Sequence, residues 1–227
     1  AVIMAKTVAE EPVDGSFIDM LEESLHKEKI SKRVRQPVTW DLESLKAHLK
    51  GRLIVSSQAT PPDFSDDPYV LTCLAKAALS GGAVAVRANG PDVIREMREA
   101  FAAPILGINK IGRETNEVYI TPTLAAAREV IEAGADFIAV DATNRPRPDG
   151  GSAAELIAQI KANYDIPIVA DISTTEEAVE AERCGADFVA TTLAGLRHQQ
   201  PKGRILAVIE PRSNTMKMGL CKDDLAP

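Results

Sequence analysis

EAGADFIAVDAT at residues 132–143 recurs as ERCGADFVATTL at 182–193, with SGGAVAVRANG at 80–90 as a looser third copy. In each, a helical pattern ends at a glycine free to take positive φ, and a short apolar run begins almost at once. Such a run has no polar face to show water, so it reads as a strand covered on both sides. From residue 51 onward the chain follows this alternation. Strands are expected at 52–57, 83–87, 104–110, 136–141, 166–171 and 187–191, and helices at 69–80, 92–101, 123–133, 152–163 and 175–184. Ser152 and Thr174 are predicted N-caps, the latter with Glu177 three residues on. Repetition of one βα unit favours a (β/α) TIM-type barrel over an open doubly wound sheet. Neither GxGxxG after the first strand nor GxxxxGK[ST] occurs, so a dinucleotide fold and a P-loop are not expected.

Composition narrows the partners. A net charge of −7 and a pI near 5.1 speak against a nucleic-acid surface, and the basic stretch 32–35 is short enough for a solvated helix face. Cys73, Cys184 and Cys221 lack CxxC spacing; Cys73 and Cys184 are expected as small core residues in a reducing cytoplasm. His26, His48 and His198 share no ligand spacing, so no metal is assigned. No apolar run approaches the roughly 20 residues needed to cross a bilayer, and the first residues lack a secretory pattern. Residues 1–50 read as an N-terminal helical extension: 17–30 sets Met20, Leu21 and Leu25 on one side, and 40–49 is an amphipathic helix suited to plugging the barrel bottom.

Barrels of this type carry their chemistry at the carboxyl ends of the strands. Those ends are Gln58, Arg87, Lys110, Asp141, Asp171 and the pair Thr191 and Thr192. Together they would suit a small, polar, anionic molecule. In APILGINKIGRETNEVYITPT, residues 103–123, Lys110 ends an apolar run. An amine partly withdrawn from water there loses affinity for its proton and can act as a base. The same amine could form a Schiff base, and a solvated lysine past a strand is the plainer alternative. Arg87 or Gln58 could donate to a developing enolate oxygen. Asp141 and Asp171 could orient the lysine or bind hydroxyls, or else cap helices. DATNRPRPDG, 141–150, is stiffened by prolines and bears Arg145 and Arg147, which could meet an acidic ligand.

LIVSSQ, AVRANG, PILGINK, VYITPT, FIAVDATNRPRPDG, ADISTTEEAVEAERCGAD and TTLAG resemble the N-acylmannosamine-6-phosphate 2-epimerases over about residues 51–195. The resemblance implies a (β/α) barrel that interconverts N-acetylmannosamine 6-phosphate and N-acetylglucosamine 6-phosphate without a cofactor, in the cytoplasm. It also implies that Lys110 moves the C2 proton and that Gln58, Arg87 and Asp171 contact substrate. The family has a second catalyst, a glutamate in a motif like C-E-G-R-I after the seventh strand, and holds phosphate with its last two βα units.

The family pattern stops after Gly195, leaving 196–227 as a divergent tail. There ILAVIE ends at Glu210, with Arg212 beyond, and the link from the sixth strand is too short for a parallel crossover. EPRSNTMKMGLCKDDLAP resembles a segment of the murein-peptide (Mur) ligases, which need a P-loop this chain lacks, so ligase activity is not expected. A barrel short of its last units leaves open edges for the N-terminal segment, the tail or a second subunit to cover. A homodimer is therefore an expectation. The alternative to an active epimerase is a recombined barrel remnant that keeps part of a phosphosugar site without its second carboxylate.

Overall fold

The computed structural model describes residues 40–59, 63 and 65–194, together with the backbone of Val208 and Ile209. The helix expected at 17–30, Glu210, Arg212 and the ligase-like segment lie outside the described residues. The elements run α1 (Leu42–Leu49), β1 (Ile54–Ser57), α2 (Pro68–Ser80), β2 (Ala85–Asn89), α3 (Pro91–Ala100), β3 (Ile105–Ile108), α4 (Leu124–Glu132), β4 (Phe137–Asp141), α5 (Ala153–Asn163), β5 (Ile168–Asp171), α6 (Thr175–Arg183), β6 (Phe188–Ala190) and β7 (Val208–Ile209). Strands β1 to β6 pair parallel in chain order. This is the expected (β/α) barrel architecture, six units of it. β7 pairs antiparallel with β6, as a link too short for a crossover requires.

Local chemistry sets the helix starts. Asp67, Thr123, Ser152 and Thr174 each accept the N–H three residues on, a contact that contributes about 1 kcal/mol. Ser152 and Thr174 are closed into full capping boxes by Glu155 and Glu177. At the ends of α2, α4 and α6 the repeated glycines, Gly82, Gly134 and Gly185, all have φ between 98° and 106°. The next residue's N–H then bonds back into the helix, Ala135 to Val130 O and Ala186 to Ala181 O.

Side chains alternate between two cores. Val86, Ala88, Ile138, Val140, Ile168 and Ala170 face outward and pack on Ile94, Met97, Val130, Ile157 and Ile160 of the helices. Ala85, Leu106, Ile108, Phe137, Ala139, Val169, Phe188 and Ala190 face inward. Leu45 and Leu49 of α1 join this inner set beside Ile54 and Ala85, the first residues of β1 and β2, so α1 packs at the amino ends of the strands. His48 Nε2 lies 3.0 Å from Val84 O. Cys73 departs from expectation. It is exposed, because Leu71, Thr72 and Ala75 form the buried stripe of α2. Cys184 is half-buried and packs on the outer core.

The aspartate of each GAD copy has a role the sequence reading missed. Asp136 accepts the Ile105 N–H at 2.7 Å and an ion pair from Arg98, whose Nε also donates to Gly134 O. Asp187 repeats the device with the Ile168 N–H and Lys161 Nζ, at 2.8 and 2.6 Å. Each carboxylate thus ties the start of the preceding strand, and the helix that feeds that strand, to the start of its own. Burial pushes the Asp136 carboxyl above its ordinary range, against the pull of Arg98 and the Ile105 N–H. Replacing it should leave a partly buried guanidinium and a strand N–H unmatched. Asp136→Ala is expected to lower unfolding free energy by about 2–3 kcal/mol in urea titrations, and Asp187→Ala by less, because Lys161 is more exposed than Arg98.

Candidate active site

The alternation that builds the inner core also builds the site. Counting two residues on from Ala85, Ile108, Ala139, Val169 and Ala190 gives Arg87, Lys110, Asp141, Asp171 and Thr192. On β1, the Ser57 hydroxyl donates to Leu71 O of α2, so Ser57 faces outward. Ser56 and Gln58 take the other face, where Gln58 Nε2 donates to Ser56 Oγ. Residues from six strand ends therefore share the inner side, above an apolar floor.

Arg87 and Asp171 form its centre. Arg87 Nη1 and Nη2 donate to Asp171 Oδ1 and Oδ2 at 3.0 and 2.6 Å, and the two side chains are 3% and 0% exposed. Thr192 Oγ1 donates to the same Oδ1 at 2.6 Å. β2 and β5 are separated by β3 and β4 in the sheet, so this fork reaches across the inner side rather than along it. A bidentate pair fixes both planes at once.

Lys110 stands half-buried beside this pair. Burial lowers the affinity of its amine for a proton, and the positive charges of Arg87 and Arg113 lower it further, while Asp171 opposes them. The amine is therefore a stronger candidate base at neutral pH than a solvated lysine. Its backbone N–H donates to Asn89 Oδ1 at 2.9 Å, a residue on the inner parity of β2 that sequence reasoning passed over. Gln58 Oε1 is buried without a hydrogen-bond partner among the described residues, an acceptor open to a hydroxyl or amide N–H.

Asp141 is engaged differently. Its carboxylate accepts from the Thr143 N–H and hydroxyl at 3.0 and 2.7 Å and from Arg145 Nη2 at 2.6 Å. Asp141 and Asp171 are register partners on neighbouring strands. Each has its own arginine, Arg145 on Asp141 and Arg87 on Asp171. Arg147 is 7% exposed and donates to Asp141 O and Pro122 O at 2.7 and 3.1 Å. It fastens the segment returning from Lys110 to the end of β4. Glu177 was expected only as a capping partner. Burial pushes its carboxyl up, but donors from Ser173, Asn144 and Thr174 outweigh this and hold it below its usual value. It thereby joins the loops after β4 and β5. Thr191 has the opposite parity to Thr192 and is half-exposed. Among the described residues, no three His, Cys, Asp or Glu side chains are grouped to hold a metal ion.

The Arg87–Asp171 pair makes a sharp energetic test. Arg87→Met or Asp171→Leu alone should destabilise the fold by about 3–5 kcal/mol, since each strands a buried charge. The double variant should recover most of that loss in urea unfolding. Additive losses would show that the two charges do not neutralise each other.

Comparison with known proteins is consistent with this geometry. Residues 71–209 match the model of a family described as "Putative N-acetylmannosamine-6-phosphate epimerase". Relatives called "Putative N-acetylmannosamine-6-phosphate 2-epimerase" include one from Clostridioides difficile, 44% identical over 65% of this chain and 66% of its own. Another, from Corynebacterium glutamicum, is 44% identical over 70% and 68%. The solved N-acetylmannosamine-6-phosphate 2-epimerase from Clostridium perfringens is 38% identical, with a TM-score of 0.65 over 70% of this chain and 69% of that one. The chain thus spans about two thirds of the length of the relatives it matches. With more than half of its residues under the family model, the chain belongs to the N-acetylmannosamine-6-phosphate epimerase family.

Proposed function

We propose that this chain epimerises C2 of N-acetylmannosamine 6-phosphate and N-acetylglucosamine 6-phosphate by proton transfer, with Lys110 as base. The observation that carries this reading is the half-buried amine set beside the Arg87–Asp171 fork. Opening the sugar ring exposes an aldehyde at C1, which acidifies the C2 proton. Lys110 Nζ takes that proton, and the C2–H electron pair moves toward C1 while the carbonyl oxygen gains negative charge. The Arg87 guanidinium, one N–H of each terminal nitrogen still uncommitted to Asp171, and the Gln58 amide are the donors we assign to that oxygen. The buried Gln58 Oε1 is assigned to a substrate hydroxyl or acetamido N–H.

Inversion needs a proton delivered to the opposite face of C2. β7 runs antiparallel to β6, so the step from Val208 to Ile209 leads away from the strand ends that carry Lys110 and Asp171, and the delivery is assigned to no residue after β7. This reading carries with it a cytoplasmic enzyme of amino-sugar catabolism that acts without a cofactor and closes its open edges as a homodimer. The competing reading is a recombined barrel remnant that keeps part of a phosphosugar site without its second carboxylate.

Incubation with N-acetylmannosamine 6-phosphate in heavy water separates the two. An active chain places deuterium at C2, read by proton NMR, whereas no incorporation at high protein concentration favours the remnant. Lys110→Met should abolish incorporation, and wild-type exchange in that variant would overturn the assignment. Borohydride added with substrate should leave no sugar adduct on Lys110, since an adduct would indicate Schiff-base chemistry.

Lys110 also gives a stability signature. An amine whose folded-state pKa is below its ordinary 10.5 weakens the fold at neutral pH, and the penalty fades as pH rises through the folded value toward 10.5. Lys110→Met should therefore melt no lower than wild type at pH 7, and any advantage should shrink steadily up to pH 10.

A further inference from the structure

Lys110 lies at the root of a loop, residues 111–119, whose first five residues are all exposed. A base placed there would follow every motion of that loop unless its backbone were anchored on both sides. The anchoring is concentrated at Thr121. This β-branched residue is fully buried and has φ of 45°, a region that L side chains rarely occupy. Its N–H donates to Asn109 O at 2.8 Å, and its hydroxyl accepts the Asn109 N–H at 3.1 Å. Both bonds fall on the residue next to Lys110.

The residues around this ring complete the hold. Lys110 and Ile120 form an antiparallel bridge, and the Ile111 N–H donates to Tyr119 O at 3.0 Å. The Asp141 N–H donates to Ile120 O at 3.0 Å, and Arg147 holds Pro122 O. On the opposite side, Asn89 Oδ1 accepts the Lys110 N–H. Residues 120–122 are thus pinned to β4 while Thr121 pins the strand end that bears the lysine. Strained backbone of this kind persists where the surrounding structure over-determines it, and it clusters at working sites.

We infer that Thr121 is a positioning residue for Lys110, isolating the amine from the exposed loop through its paired bonds to Asn109. The inference rests on the role given to Lys110 above, but its test does not need turnover. Thr121→Gly can adopt the same backbone conformation while losing the hydroxyl, and Thr121→Ser keeps the hydroxyl. The readout is trace acetylation of Lys110 across pH, followed by mass spectrometry of its peptide, with Lys46 and Lys161 as internal references. Thr121→Gly should move the labelling midpoint of Lys110 upward, toward that of an ordinary lysine, without moving the references, and Thr121→Ser should restore it.

Asn89→Ala, which removes the other hold on the Lys110 backbone, should shift the midpoint in the same direction and serves as the test if Thr121→Gly does not fold. Where wild-type exchange at C2 is measurable, Thr121→Gly should lower kcat on the order of 10- to 100-fold with KM nearly unchanged. A wild-type labelling curve in a folded Thr121→Gly variant, or in Asn89→Ala if the former does not fold, overturns the inference. A wild type that labels as described but exchanges nothing leaves the positioning intact and refutes the proposed function instead.

Discussion

A guanidinium and a carboxylate withdrawn from water on the inner side of the sheet govern everything else at this site. Arg87 and Asp171 are almost wholly buried, and each offsets the cost of withdrawing the other's charge from water. Their pairing does not have to stabilise the fold, because removing two charges from water offsets much of their attraction. What it secures is orientation. Two hydrogen bonds from Arg87 and one from Thr192 fix the Asp171 carboxylate, and burial, joined by the fixed cation of Arg87, lowers the affinity of the Lys110 amine for its proton. Stability surrendered to buried charge is recovered in the two apolar cores and in the GAD aspartates that fasten strands to helices.

The fold converts one repeated unit into a ring of polar groups by parity alone. Parallel strands in successive register place every second side chain on the inner face, so an apolar run that ends in a polar residue delivers that residue to the rim. Arg87, Lys110, Asp141, Asp171 and Thr192 all arrive in this way. The loops after β3, β4 and β5 are then locked to one another by Arg147 and Glu177, and the site inherits the rigidity of the sheet.

Much of this was legible in the sequence because it depends on local pattern. Strand and helix order followed from apolar runs and glycine stops, although β2 is shifted two residues on, to Ala85–Asn89, and the other five parallel strands are a residue or two shorter at one or both ends. The candidate ring followed from the strand ends. What the sequence could not reveal were contacts between distant segments. That Arg87 grips Asp171, that Asn89 holds the Lys110 N–H and that Thr121 closes on Asn109 are facts of tertiary register. Cys73 was misjudged because one helical position separates the buried Thr72 from solvent. The GAD aspartates were visible as a repeat, but a repeat does not state what its carboxylate accepts.

The central claim is that the Lys110 amine gives up its proton more readily than a lysine in water. NMR titration of the wild-type chain carrying isotopically labelled lysine, with the Lys110 signal assigned by its loss in Lys110→Met, measures this directly. A midpoint below the ordinary 10.5 is the result the account requires. A midpoint at or above that value would contradict it, whatever the fold looks like around it.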